Sequence, residues 1–214
     1  MKNPSHTIGW RFIRVIGSLK AYRNLVYLLA AFPLGLFYFV FLISGISTGI
    51  SLSIVWVGIP ILLLVAAGWW LLARFERLAA RIFLEEDIPA MMDESSASDN
   101  LWKRFIDHMA NPVTWKSLLF LIIKFPLGIA TFIIVITLGS LTLGLLVSPF
   151  LFDAHQFFQD GGFYGLGVLD VHIDSMKDAL LAALIGLILW PVSLHIFNGL
   201  AWVHGKFARL MLSV

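Results

Sequence analysis

Four runs of roughly twenty apolar residues constrain this chain more than any other feature. A helix needs about 20 mostly apolar residues to cross the hydrocarbon core of a bilayer. Leu25–Ile46, Ile54–Ala73, Trp115–Gly139 and Ala179–Val203 all meet that length. A Gly/Ser stretch, SGISTGIS, follows the first run and is expected to form the turn between the first two spans. A shorter run, Leu141–Phe152, is too brief to span in the same way. It reads as helix continuation or as a segment folded back at the outer surface, and a fifth span is the competing count. Of the 214 residues, 59% are hydrophobic and 13% charged, against roughly a quarter charged in soluble domains. The fold expected is an all-α polytopic membrane protein, with four transmembrane helices as two related helical hairpins plus interfacial amphipathic helices. Soluble enzymes and nucleic-acid binders drop out. With no cysteine, disulfides, thiolate metal sites and thiol catalysis are excluded.

Charge placement sets the orientation. Basic residues stay on the cytoplasmic side of short loops. With four spans, the N-terminus, residues 74–114 and the C-terminus share one side, which holds 14 of the 15 Lys and Arg when Lys116 and Lys124, in the entry part of the third span, are counted with it. Only Lys177 lies on the other side, among five Asp in 153–178. The expectation is a multi-pass protein of the cell membrane with both termini cytoplasmic. The N-terminal apolar run follows a basic segment and lacks a small-residue cleavage site, so no removable signal peptide is expected. Within that segment Ile8, Phe12, Val15, Leu19 and Tyr22 recur at helical spacing, which predicts an interfacial helix over 1–24.

The tetrapeptide FPLG occurs twice, at Phe32–Gly35 and Phe125–Gly128, an offset of 93. Over Tyr22–Phe41 that alignment gives seven identities in twenty; a second, at offset 128, sets Leu72–Leu84 on Leu200–Leu212 with five in thirteen. The chain therefore divides into an interfacial helix 1–24, a first hairpin 25–84, a cytoplasmic linker 85–114 and a second hairpin 115–214 with an outer loop 141–178. Pro33, Pro60, Pro126 and Pro191 are expected to kink the four spans, because each removes a backbone donor.

Several stretches together resemble one family. They are YRNLVYLLAAFPLGLFYFVFLISGISTGISL, GIPILLL with LARFERLAARIF, TWKSLLFLIIKFPLGIATFIIV, and HIDSMKDALLAALIGLILW followed by HIFNGLAWVHGKFARLML. Over roughly residues 20–212 the chain is similar to the sensor domain that precedes the catalytic part of many bacterial and archaeal histidine kinases. The resemblance implies a four-span sensory input module with cytoplasmic termini. No phospho-acceptor or ATP-site motif is present, so it implies here a free-standing module acting through another polypeptide.

Polar groups inside a bilayer are costly and point to function. Lys124 is expected to snorkel to the cytoplasmic interface; the alternative is a buried ion pair with Glu76. His195 and Asn198, three apart on the last span, read as interhelical glue or as the lining of a polar cavity with Lys124. In the outer segment Asp153, His155, Asp170, His172 and Asp174 are donors of the kind that bind divalent metals, or act as a pH-sensitive pair of histidines. The competing reading is a solvated acidic loop in which Asp174 caps the last helix. In the linker, Leu101, Phe105, Ile106 and Met109 give residues 101–110 an apolar face for the membrane or a partner.

No enzyme motif occurs, and no cofactor is expected. The reading is a non-enzymatic sensory or regulatory module relaying an outer or membrane-state signal. Its partners would be the lipid bilayer and a membrane or cytoplasmic protein, such as a histidine kinase, a regulator or complex subunits; a homodimer is compatible with it. The runner-up is an accessory or assembly subunit of a larger membrane complex, followed by a small transporter or lipid-binding protein.

Overall fold

A computed structural model describes residues 14–86, 88, 112–157 and 175–213, with side chains described only to residue 151 in the third helix. Four helices carry them: α1, Leu19–Leu52; α2, Gly58–Leu84; α3, Pro112–Phe157; and α4, Met176–Leu212. There is no strand among the described residues. Each helix is long and apolar enough to cross a membrane. The reason is that lipid offers no partner to a backbone N–H or C=O, so a spanning segment must bond all of them internally.

The same rule accounts for two places where the helices overrun the boundaries expected from sequence. SGISTGIS is not a turn: α1 runs on through it to Leu52. Its serines return their hydroxyls to the helix, Ser44 to the Val40 carbonyl at 2.6 Å and Ser51 to that of Ser47 at 2.8 Å. Its glycines are contact points. A Cβ on Gly45 would meet Val65 Cγ2 at 2.5 Å, and one on Gly49 would meet Leu62 Cδ2 at 2.5 Å. Small residues four apart let two helices approach closely in lipid, and here they seat α2 against α1 as an antiparallel hairpin. The chain reverses instead at Ser53–Val57. Trp56 takes the left-handed conformation, φ 64°, and its N–H donates to the Ser53 carbonyl at 3.1 Å. That Trp side chain is 80% exposed.

Likewise Leu141–Phe152 is neither folded back nor a separate span. It continues α3, which reaches Phe157 over 46 residues, about 69 Å at 1.5 Å per residue. The loop assigned to begin at residue 141 therefore begins only after Phe157. At the other end of the chain, the interfacial helix expected over 1–24 is not found in its described part. Residues Arg14–Gly17 form a single 3-10 turn and Leu19 already opens α1. Val15 is buried while Leu19 is 76% exposed, so the two share no face. Residues 101–110 of the linker lie outside the described residues.

Two compact units are distinguished, Met1–Tyr22 with Ile133–Asn198, and Arg23–Phe132 with Gly199–Val214. In the first, α3 and α4 run antiparallel and are joined by hydroxyls. Thr142 and Ser193 bond at 2.9 Å, and the Ser148 hydroxyl donates to the Ala179 carbonyl at 2.9 Å. A Cβ on Gly186 would lie 2.9 Å from Leu145 Cβ and from the Leu146 nitrogen. The α4 start is capped by Ser175; Asp174 lies outside the described residues. Ser175 Oγ accepts from the Asp178 N–H at 3.3 Å while Asp178 Oδ2 accepts from the Ser175 N–H at 3.1 Å, a reciprocal capping box. Interhelical hydroxyl bonds of this kind contribute about 0.6 kcal/mol in membranes. Ser193→Ala is therefore expected to lower thermal stability only slightly, measured as the midpoint of detergent-phase melting.

Candidate functional site

The second unit holds a buried polar centre. Lys124 on α3 is 1% exposed and Glu76 on α2 is fully buried, and they form an ion pair. The lysine does not snorkel. The flexible four-carbon stem of a lysine could reach an interface only if the side chain faced lipid, and this one turns inward to Tyr27 of α1 and Glu76 of α2. Lys124 Nζ also donates to the Tyr27 hydroxyl of α1 at 3.0 Å. It lies 4.8 Å from the Tyr27 ring centroid and 5.8 Å from that of Phe120. A desolvated cation over aromatic rings gains about 2 kcal/mol. The other oxygen of Glu76 accepts from the Tyr38 hydroxyl at 2.7 Å. Both carboxylate oxygens are thus occupied. Additional hydrogen bonds to both members of the pair, from Tyr38 to Glu76 and from Lys124 to Tyr27, are what allow a buried pair to be tolerated.

Helical spacing explains the convergence. Tyr27 and Tyr38 are 11 residues apart, three turns, so both project from one face of α1. Glu76 is flanked on its own face by the buried Ala73, Ala79 and Ala80, small residues that let α1 and α3 close around the carboxylate, with the buried Trp69 two turns away. On α4, His204 is buried and sets its ring edge-on to Tyr27, with centroids 5.9 Å apart and an interplanar angle of 84°. Phe207 stacks on Phe120 at 5.2 Å. All four helices therefore contribute to the centre.

Beside it, the two FPLG segments cross with their glycines against each other's backbone. A Cβ on Gly35 would stand 2.9 Å from the Lys124 carbonyl oxygen, and one on Gly128 would stand 2.8 Å from the Ala31 carbonyl oxygen. Phe39 stacks on Phe125 at 4.8 Å, and Phe32 meets Phe132 at 4.9 Å. These contacts exchange with one another when residue numbers shift by 93.

Charged side chains close the end of the unit beyond Leu84. Glu85, in the left-handed conformation at φ 55°, ends α2. Arg23 of α1 donates to the Ile82 carbonyl at 2.6 Å and pairs with Glu85 at 3.1 Å. A cation on the last free carbonyls is favourable at a helix C-terminus. Lys206 and Arg209 of α4 reach Glu86 at 3.3 and 3.8 Å.

Of the residues singled out in sequence, Lys124 and Glu76 are thus brought together. His195 is exposed and Asn198 half-buried, and both belong to the other unit. Pro33, Pro126 and Pro191 lie in helix interiors. Pro60 is the third residue of α2, where the missing N–H would have no intrahelical partner, so it removes no hydrogen bond and gives no reason for a kink. Asp153, His155, Asp170, His172 and Asp174 have no described side chains. Among the described residues no three His, Asp or Glu come together as metal ligands. Sequence reasoning missed Tyr27, Tyr38 and His204. The available signal was the pair of tyrosines on one face of a span otherwise made of Leu, Phe, Ala and Gly.

Comparison with known proteins then places the chain. The family described as Putative sensor matches residues 27–212. The chain belongs to that family. The match takes in every side chain of the buried centre and of the charged end of the unit except Arg23, so these features lie within the sensor domain itself. No curated protein and no solved structure matches the chain.

Proposed function

We propose that this sensor domain is a non-enzymatic relay, in which a change outside the cell or in the membrane alters helix packing and is passed to a partner protein. The observation that carries this reading is the arrangement of α4. Within its last three turns, His204 touches Tyr27 of the buried centre, and Lys206 and Arg209 hold Glu86 at the exit of α2. Any shift of α4 therefore acts on both a buried ion pair and the helix end that leads into the linker. Interfaces with discrete packings amplify small displacements in this way. Both Glu76 oxygens are engaged, one by Tyr38 and one by Lys124, while the buried His204 Nε2 has no hydrogen-bond partner among the described residues. The partner would be a histidine kinase or transcription regulator of a bacterial or archaeal two-component system, reached through the N-terminus, the linker 85–111 and the C-terminus. The reciprocal FPLG crossing supports descent of the two hairpins from one duplicated unit.

Purification in mild detergent with identification of co-purifying proteins tests the reading. Recovery of a kinase or regulator is expected. Stoichiometric retention in a redox or transport complex would instead favour an accessory subunit. The orientation is tested separately. The chain has no cysteine, so Gly165→Cys introduces a unique thiol in the segment assigned to the outside. A membrane-impermeant maleimide should label it in intact cells; labelling only after lysis would reverse the topology.

A further inference from the structure

We propose that the turn joining α1 to α2, Ser53–Val57, lies in the interfacial layer of the leaflet remote from Arg74 and Arg81, with lipid as its partner. The assignment does not rest on the relay reading. No acidic or basic residue occurs between Arg23 and Arg74, and the turn falls near the middle of that stretch. Ile54, Val55, Trp56 and Val57 are between 53% and 86% exposed, and Ile50 and Ile59 on the flanking helix ends are exposed too. Side chains on four consecutive residues and on both helices do not form one face. A protein partner would cover one face, whereas a fluid of acyl chains meets every side. The polar groups of the turn bond inward. Ser53 Oγ donates to the Ile50 carbonyl at 2.6 Å, and the Trp56 N–H donates to the Ser53 carbonyl at 3.1 Å. Gly58 packs so closely on the Gly49 carbonyl oxygen and the Ser53 nitrogen that a Cβ has no room. A backbone folded on itself in this way suits a layer where water is scarce.

Helix length fixes the depth. From Gly58 the axis of α2 runs about 24 Å to Arg74 and about 35 Å to the exposed Arg81. The hydrocarbon core is about 30 Å thick, and the polar layers bring the bilayer to about 40–45 Å. With the inner boundary of the core anywhere between those two arginines, the turn reaches the far boundary without passing through the polar layer beyond it. Trp56 points to the same depth. Its φ of 64° costs free energy that a glycine would avoid. Standing in water, the exposed indole would return nothing for that cost. At the boundary of acyl chains and headgroups, where tryptophan is favoured, its ring gains an apolar contact and its N–H a polar one. Within the proposed relay, this hairpin would then meet the lipid of the remote leaflet before it meets the aqueous phase.

The test places one nitroxide label at a time on the full chain, which has no cysteine of its own, in vesicles of phosphatidylcholine and phosphatidylglycerol. Ile54→Cys, Val55→Cys and Val57→Cys probe the turn. Leu64→Cys, exposed on α2 about 9 Å along the axis from Gly58, is the reference for acyl chains. Ser96→Cys, in the polar stretch 93–100 of the linker, is the reference for water. Power saturation compares oxygen, which concentrates among acyl chains, with a water-soluble nickel chelate. The oxygen-to-nickel ratio at the turn should lie between the two references and several-fold above that of Ser96→Cys. A ratio equal to that of Ser96→Cys puts the turn in water and overturns the proposal. Exclusion of both reagents also overturns it, because protein would then cover the side chains, either a second copy or residues 158–174. Trp56→Phe gives a second readout without a label. The emission lost with that indole should be quenched in the wild type by lipids brominated near the carbonyl end of the acyl chain. Emission that stays unquenched overturns the proposal as well.

Discussion

Lys124→Met should destabilise the protein by about 3–5 kcal/mol, one of the largest effects open to a single substitution here. Lysine and methionine have similar length, so the loss is not one of volume. Removing the ammonium leaves Glu76 fully buried, with Tyr38 on one oxygen and nothing in place of the cation on the other. A carboxylate stranded in apolar surroundings takes up a proton rather than stay charged, and that neutralisation limits the cost. Replacing both partners is predicted to behave differently. In Glu76→Gln with Lys124→Met the amide still accepts from Tyr38, no charge is buried, and only the Tyr27 hydroxyl loses a partner. One such hydroxyl costs about 1–2 kcal/mol, so the double variant should recover most of the loss. Melting in detergent with all four proteins of the cycle measures this. Additive losses would mean that the two side chains are not energetically coupled and would overturn this account.

The same reasoning says why the pair is present at all. Well-packed apolar residues would serve stability as well or better. An ion pair joining α2 and α3, with a tyrosine from α1 on each member, instead fixes which helix faces meet. In a bilayer, where Leu against Leu hardly differs from Leu against lipid, such a fixed match has particular value. Under the proposed relay by helix packing, it also supplies a defined state from which to depart.

How much of this was legible in the sequence depends on what sets each feature. The four spans follow from length and hydropathy, which the bilayer dictates directly. Their ends do not, because Gly45 and Gly49 look like turn residues while in lipid they are surfaces for close approach. Leu141–Phe152 was ambiguous for a related reason: twelve apolar residues do not reveal whether the chain before them has stopped. Lys124 was visible as an anomaly and Glu76 as its candidate partner. Which reading held was decided by side-chain direction, and an offset of eight residues from Lys116 to Lys124 does not carry that information. Tyr27 and Tyr38 were hidden because aromatic residues are common in spans, and only their shared face distinguishes them. His204 carries no mark of its own in the sequence, yet on α4 it is buried with its ring edge-on to Tyr27.

The second large effect is expected at the FPLG crossing. At Gly35 the atoms that a Cβ would meet are the Lys124 carbonyl oxygen at 2.9 Å, Phe125 Cα at 3.0 Å and the Lys124 carbonyl carbon at 3.1 Å. At Gly128 they are the corresponding atoms of Ala31 and Phe32, at 2.8, 3.1 and 3.0 Å for O, C and Cα. All are backbone, so no rotamer change relieves the contact, and α1 and α3 must move apart. Separation would loosen the Phe39–Phe125 and Phe32–Phe132 pairs and shift the backbone of Lys124, disturbing the ion pair as well. Overpacking of this kind costs about 1–3 kcal/mol for a small addition, against which alanine recovers about 1 kcal/mol of helix propensity. Gly35→Ala and Gly128→Ala should therefore be mildly destabilising, and the leucine variants at both positions severely so. Gly139 and Gly199, also within helices, have nothing within 4 Å of an added Cβ. Alanine there should leave only the propensity gain and raise the melting midpoint. Opposite signs for one substitution at two kinds of glycine are the signature of a helix crossing set by backbone contact; equal shifts at all four positions would mean that the crossing does not hold the unit together.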